Sequence, residues 1–230
     1  MDPLAGTPWS NPATVEGFAR GEPNAVLMAY AGRLAGGHPG GRVLDIGCGA
    51  GRNAVPLARL GWRVLGTDLS TPMAVAAHAR AAQERTQGRF DVALAPMQAL
   101  PVRSGSIDLV IAHGIWNLAT SGAQFRAGVR EAARVARPGA ALFVFTFSRH
   151  TLADDAEPVA GESIVFAQFS ERPQCFLTEG ELIGELADAG FALDPSVPLT
   201  EYNRPTAGML RTGGGPVIYE AAFRYRPAGV

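Results

Sequence analysis

From Arg42 onward the chain alternates short apolar runs with amphipathic ones, and no other feature of the sequence restricts its fold so much. Strand-like runs fall at residues 42–46, 62–67, 90–95, 107–112 and 140–147, with helix-like runs at 52–60, 71–87 and 124–136 between them. Val55, Leu57, Ala58 and Leu60 show the helical spacing, whereas the fifth strand is apolar throughout. Strands separated by helices join in parallel through right-handed crossovers, and a parallel sheet must be covered on both faces. Residues 191–200 and 216–226 add two strands with no helix between them, which pair antiparallel across a glycine-rich loop that includes Gly213, Gly214 and Gly215. The expected fold is a single α/β domain over residues 1–230, a doubly wound seven-stranded sheet that is mostly parallel with an antiparallel final strand, with helices on both faces.

Other segments surround that core. Residues 14–34 carry helical spacing interrupted by Gly21 and Pro23, so two short helices form a lid over residues 1–40. The core spans 41–148, an aperiodic insertion spans 149–176, and a closing helix and strands span 177–230. Ser70 is placed to cap the helix that holds Pro72 in its first turn, and Thr178 with Glu181 makes a capping box.

Composition removes several chemistries. All 20 basic residues are arginine, so there is no Schiff-base lysine and no phosphate-loop lysine. Cys48 and Cys175 lack metal-ligand spacing, and with four histidines no metal site is expected. A net charge of −1 without charge runs argues against a nucleic-acid or membrane partner, although folding can still gather a compact basic patch. Residues 1–10 contain neither a basic segment nor an apolar leader core, and no apolar run is long enough to span a bilayer; a soluble, cytoplasmic protein is expected.

The first strand ends in Asp45-Ile46-Gly47-Cys48-Gly49-Ala50-Gly51 directly before a helix. Glycines expose bare backbone to a ligand, and the helix start offers free N–H donors. A dinucleotide site wants a third glycine where this chain has Arg52, which disfavours a nicotinamide-dependent oxidoreductase. The loop, opened by Asp45, resembles motif I of the class I S-adenosylmethionine-dependent methyltransferases. The stretch from Gly66 to Met73 resembles the same family's D-x-S-x-x-M pattern, with Asp68 at the strand end. Ala95-Pro96-Met97-Gln98-Ala99-Leu100-Pro101 resembles G-D-A-x-x-L-P, with Pro96 in place of the usual acid. Residues 106–117 are similar to the fourth motif, and Ala136-Arg137-Pro138-Gly139 to a further signature. Gly51-Arg52-Asn53 and residues 176–182 are more distantly similar to tellurite-resistance-type methyltransferases.

The resemblance implies S-adenosyl-L-methionine as cofactor, held by Asp45, Gly47, Cys48, Gly49, Asp68, Leu69, Met73, Met97, Gln98, Ala112 and His113. Asp68 is suited to accept from ribose hydroxyls, and Gln98 or a backbone carbonyl is left to meet the adenine amino group. Met97 either covers the adenine or is a core methionine. Arg52 opposes the dipole of the helix it opens, so it answers a carboxylate or extends into water.

The implied reaction is methyl transfer to a small-molecule acceptor by in-line displacement, in which alignment supplies much of the rate. His113 is the candidate general base, set against a role as a hydrogen-bonding wall residue. Trp116, Asn117 and His150 are expected in the acceptor pocket, with Asp154 nearby in the loop and apolar area from Trp9, Phe18, Phe166 and Phe169. A binding module or partner subunit that keeps the cofactor but has lost catalysis is the alternative.

Overall fold

In the first strand, β1 (Arg42–Ile46), every residue after Arg42 is buried, as a strand covered on both faces requires. It lies in the centre of the sheet. In the computed structural model, which describes residues 2–170, 172–204 and 215–227, β1 pairs in parallel with β2 (Arg63–Asp68) on one side. On the other side it pairs with β4 (Ile107–His113), and β3 (Phe90–Leu94) and β5 (Ala136–Phe147) extend the sheet outward. Strand order 3-2-1-4-5 reverses at β1, and ligands bind at the carboxyl edge of such a switch point.

Helices α2 (Ala25–Ala35), α3 (Ala54–Arg59) and α4 (Thr71–Gln83) cover one face, burying Leu27, Tyr30, Val55 and Ala77 against Val43, Ile111 and Phe143. Helices α5 (Gly122–Val135) and α6 (Glu179–Asp188) cover the other, with Phe125, Val129, Leu182 and Leu186 against Val110, Leu142 and Tyr219. The two short helices read over residues 14–34 both form, but α2 packs on the sheet, whereas α1 (Pro12–Arg20) has no buried residue and sets Phe18 beside Gly49. Both local caps form as read: Ser70 Oγ accepts from Met73 N–H, and Thr178 and Glu181 complete their box.

The sheet departs from expectation at its far edge. Among the described residues it has eight strands, because residues 191–200 divide into β8 (Phe191–Leu193) and β9 (Thr200–Tyr202). Asp194 forces the break: its Oδ1 accepts from Ser196 N–H, 2.9 Å away, around a proline that has no donor. Both pieces pair with β10 (Ile218–Tyr225), which inserts antiparallel to β5. Gly213 and Gly214 of the expected loop lie outside the described residues.

Strand β5 begins four residues earlier than its apolar run. Ile107 pairs with Ala136 but Leu109 with Ala141, so Arg137–Ala140 bulge opposite Asp108 and Arg137 bonds the Asp108 carboxylate at 2.9 Å. The insertion holds a small hairpin of β6 (Val165–Phe166) and β7 (Gln174–Cys175), whose Val165 and Cys175 join the α5 side of the core.

Candidate functional site

The glycine loop makes its turn with left-handed backbone. Gly47 sits at φ +68°, and a Cβ there would stand 2.7 Å from Ile115 Cδ1. Gly49, at φ +54°, lies against the Phe18 ring of α1, and Gly51 packs on Ala77 of α4. Each of these angles lies in the left-handed region that favours glycine, with side chains packed close by, so the loop is a tight cradle in which Gly47 is half-buried and Gly49 and Gly51 are buried.

Two carboxylates converge on it. Asp68, at the end of β2, accepts from Gly49 N–H and Ser70 N–H, each 2.8 Å away, and so ties one strand end to the next. Burial pushes its pKa up while these N–H donors hold it down. Asp45, at the end of β1, is 2% exposed and its Oδ2 has no hydrogen-bond partner. Burial raises its pKa to about 7; the Arg52 charge pulls the other way and the Asp68 charge adds to the rise. A buried, unsatisfied carboxylate oxygen is costly, and a cationic or donor group of a ligand would relieve it. Left-handed glycines, a buried acid with an unpartnered oxygen and a second acid at the next strand end thus stand together at the sheet's switch point.

Arg52 meets no acid within ion-pair reach among the described residues. Its guanidinium donates to His113 Nδ1 at 3.1 Å and lies over the Phe18 ring, 5.9 Å from the centroid. Guanidinium groups cannot accept, so Nδ1 carries the lone pair. His113 also stacks on Phe145, with centroids 4.2 Å apart and planes 6° apart. Burial, then the Arg52 charge, lowers its pKa to about 3.

Of the other residues read from sequence, Cys48 lies inside the glycine loop and Met73 Sδ comes to 3.9 Å of a Cβ placed on Gly49. Cys48, Met73 and Ala112 are buried, Leu69 is half-buried, and Gln98 is exposed. Met97 packs in the core, where its side chain and the Trp116 ring both reach Gly128. Trp116, expected in the acceptor pocket, belongs to that core instead: it is fully buried, edge-on to Phe125, because its short 3-10 turn directs the ring toward α5. Asn117 is buried with Oδ1 unpartnered. His150, also expected in that pocket, is exposed. Its Nδ1 lies 2.6 Å from Glu201 Oε1 at the exposed β9 edge, with Ser148 and Arg204 alongside. Asp154 is exposed in the insertion. The aromatic residues form two groups, Trp9 with Phe18 above the glycine loop and Phe166, Phe169 and Phe176 with Phe147.

Asn24, Tyr202 and Glu220, not singled out from the sequence, join the cluster at His113 together with Asn53. Asn24, the cap of α2, donates to Glu220 Oε2 at 2.6 Å and approaches His113 Nε2 at 3.3 Å. Tyr202 donates to Glu220 Oε1 at 3.0 Å, and Asn53 Oδ1 accepts from Asn24 N–H at 2.9 Å. Glu220 itself had one signal, an acid inside the apolar run Ile218-Tyr219-Glu220-Ala221-Ala222-Phe223. Folding also gathers a basic patch, but at the opposite edge of the sheet, where Arg42, Arg63, Arg89 and Arg103 line an open recess of about 700 Å³. That recess touches none of the residues above.

Residues 43–139 match the methyltransferase domain family. The chain is 35% identical over 124 residues to a ubiquinone biosynthesis O-methyltransferase of Methylocella silvestris, covering 54% of this chain and 46% of that protein. It is 37% identical over 116 residues to a demethylmenaquinone methyltransferase of Beutenbergia cavernae, covering 49% and 43%. The matched stretch thus spans less than half the length of either relative. Its fold is similar to a crystal structure of an S-adenosylmethionine-dependent methyltransferase from Methanosarcina mazei, with a TM-score of 0.68, 20% identity, and coverage of 89% of this chain and 99% of that one. Among the described residues no helix is long and apolar enough to cross a membrane. Over residues 43–139 the chain is thus similar to the methyltransferase domain family, and its fold is similar to that of solved S-adenosylmethionine-dependent methyltransferases.

Proposed function

We propose that the protein transfers the methyl group of S-adenosylmethionine to a small-molecule acceptor by in-line displacement. The observation that carries this reading is the convergence of Asp45 and Asp68 on a turn of left-handed glycines at the sheet's switch point. When bound, the cofactor supplies a methyl carbon already activated by a sulfonium leaving group. Asp45 would hold the cofactor's ammonium group, and Asp68, with its remaining lone pairs, would hold the ribose hydroxyls. Phe18 and Trp9, packed edge to face 5.9 Å apart above Gly49, shut water out of the cradle. His113 forms a polar wall beside the reacting centre, because Arg52 occupies its lone pair. Alignment of the acceptor is then the main task left to the chain.

The related quinone-pathway methyltransferases make an aromatic or otherwise partly apolar acceptor the first class to assay. Calorimetry should show S-adenosylhomocysteine binding and NAD not binding; preference for NAD would sink the reading. Asp68→Ala removes two charge-assisted acceptors, each worth roughly 1.5–3 kcal/mol, and should weaken S-adenosylhomocysteine binding at least tenfold. Tight binding without turnover on any acceptor would favour the catalytically silent module.

A further inference from the structure

An open groove of about 380 Å³ lies between α2 and the β8–β9 connection. Its walls are mostly apolar, from Val26, Ala29, Val197 and Pro198, and Glu220 and Tyr202 stand at one end. Glu220 is 3% exposed, yet among the described residues no arginine or histidine lies within ion-pair distance of its carboxylate. Its two oxygens are held only by neutral donors, the Tyr202 hydroxyl and the Asn24 amide. A carboxylate so deeply placed costs free energy unless a cation joins it. Arg33 also lines the groove, but it sits eight residues along α2 from Ala25, a rise of roughly 12 Å, and reaches Ser196 O and the Tyr30 ring instead.

The groove is connected to the proposed reacting centre through the sheet. Phe145 is the register partner of both His113 on β4 and Glu220 on β10, so these two residues stand two strands apart, roughly 10 Å, on one face. Asn24 Nδ2, which donates to Glu220 Oε2, lies 3.3 Å from His113 Nε2 and so stands between the same pair. We infer that this groove is the acceptor's binding pocket and that Glu220 anchors a protonated amine on it, with the apolar body of the acceptor lying along α2. The inference rests on the methyl-transfer reading for the word acceptor, but not for the ligand chemistry of the pocket. The amine is the handle by which the acceptor is oriented, and Glu220 is accordingly a specificity residue rather than a base.

The test is calorimetric titration of benzylamine and phenethylamine, against benzyl and phenethyl alcohol, into protein saturated with S-adenosylhomocysteine. The amines should bind about tenfold or more tightly than the alcohols, the ratio expected when a hydrogen bond to a charged partner replaces a neutral one. Glu220→Gln should erase that ratio. Tyr202→Phe, which leaves the carboxylate in place, should preserve it, and Val26→Trp should block both ligand series by filling the groove. Equal binding of amines and alcohols, failure of the amines to bind, or a ratio that survives Glu220→Gln would overturn the inference. Should Glu220→Gln not fold, the wild-type ratio together with Val26→Trp decides. If S-adenosylhomocysteine itself does not bind, the methyl-transfer reading falls, while the same titration into the free protein still judges the pocket.

Discussion

The guanidinium of Arg52 points a hydrogen at Nδ1 of His113, 3.1 Å away, and thereby occupies the lone pair a general base would need. Protonation of that ring would set two cations against each other in a buried site. An NMR titration should therefore place the His113 pKa far below 6.5, near 3. Arg52→Met should raise it only in part, since burial is the larger cause. His113→Gln should reduce methyl transfer by less than the roughly 10²- to 10⁴-fold that loss of a general base brings. A His113 pKa near neutrality would restore it as a candidate base.

His113 and Asp45 should also give the protein an unusual acid profile. The folded pKa of His113 lies near 3, below its unfolded value of roughly 6.5, so its stabilisation is complete above that value and is lost as pH falls. Asp45 behaves oppositely. Its folded pKa of about 7 exceeds an unfolded value of roughly 3.9, so stability declines as pH rises through that window. Between about pH 4 and 6.5 the two slopes, each at most about 1.4 kcal/mol per pH unit, oppose one another. Urea midpoints should show Asp45→Asn losing stability in acid more steeply than wild type, and His113→Gln gaining it. Parallel curves for all three proteins would refute this.

The glycine turn and the acid at the end of β2 were legible because their determinants are local. Asp45 through Gly51 is one turn, Asp68 and Ser70 belong to one strand end and cap, and a glycine pattern after an apolar run carries its geometry with it. The cluster around Glu220 depends on long-range assembly. Asn24, Tyr202 and Glu220 meet only because β10 inserts between β5 and the β8–β9 pair, and no spacing in the chain announces that insertion. Trp116 was misplaced for a related reason: the motif fixes where β4 ends, but α5 packing decides which way the ring turns. The early start of β5 went unseen because a Pro-Gly pair reads as a loop, while here it forms a bulge locked by Arg137 on Asp108.

Asp45 makes cofactor affinity pH-dependent in a defined direction. With a pKa of about 7 the free protein holds much of this group protonated in mild acid, and only the carboxylate can pair with an ammonium group. Binding should release a proton and tighten as pH rises, by up to about tenfold per unit below the pKa, before levelling above it. Calorimetry of S-adenosylhomocysteine in buffers of different ionisation enthalpy would detect that proton. Asp45→Asn should bind more weakly and show a flat profile between pH 6 and 8; a slope retained in the variant would assign the titration to another group.

Gly47→Ala tests whether the cradle depends on backbone conformation alone or on space as well. At φ +68° any Cβ is strained, by about 1 kcal/mol, and this one would also lie 2.7 Å from Ile115 Cδ1. The variant should be destabilised by about 1–3 kcal/mol in urea denaturation and should bind S-adenosylhomocysteine poorly, because the turn opens to relieve the overlap. Adding Ile115→Ala removes the steric part but not the torsional part. Measured against Ile115→Ala alone, Gly47→Ala should therefore cost less than it does in the wild-type background, with roughly the torsional cost remaining. If the cost is the same in both backgrounds, contact with Ile115 does not restrict position 47, and the demand for glycine there is purely conformational.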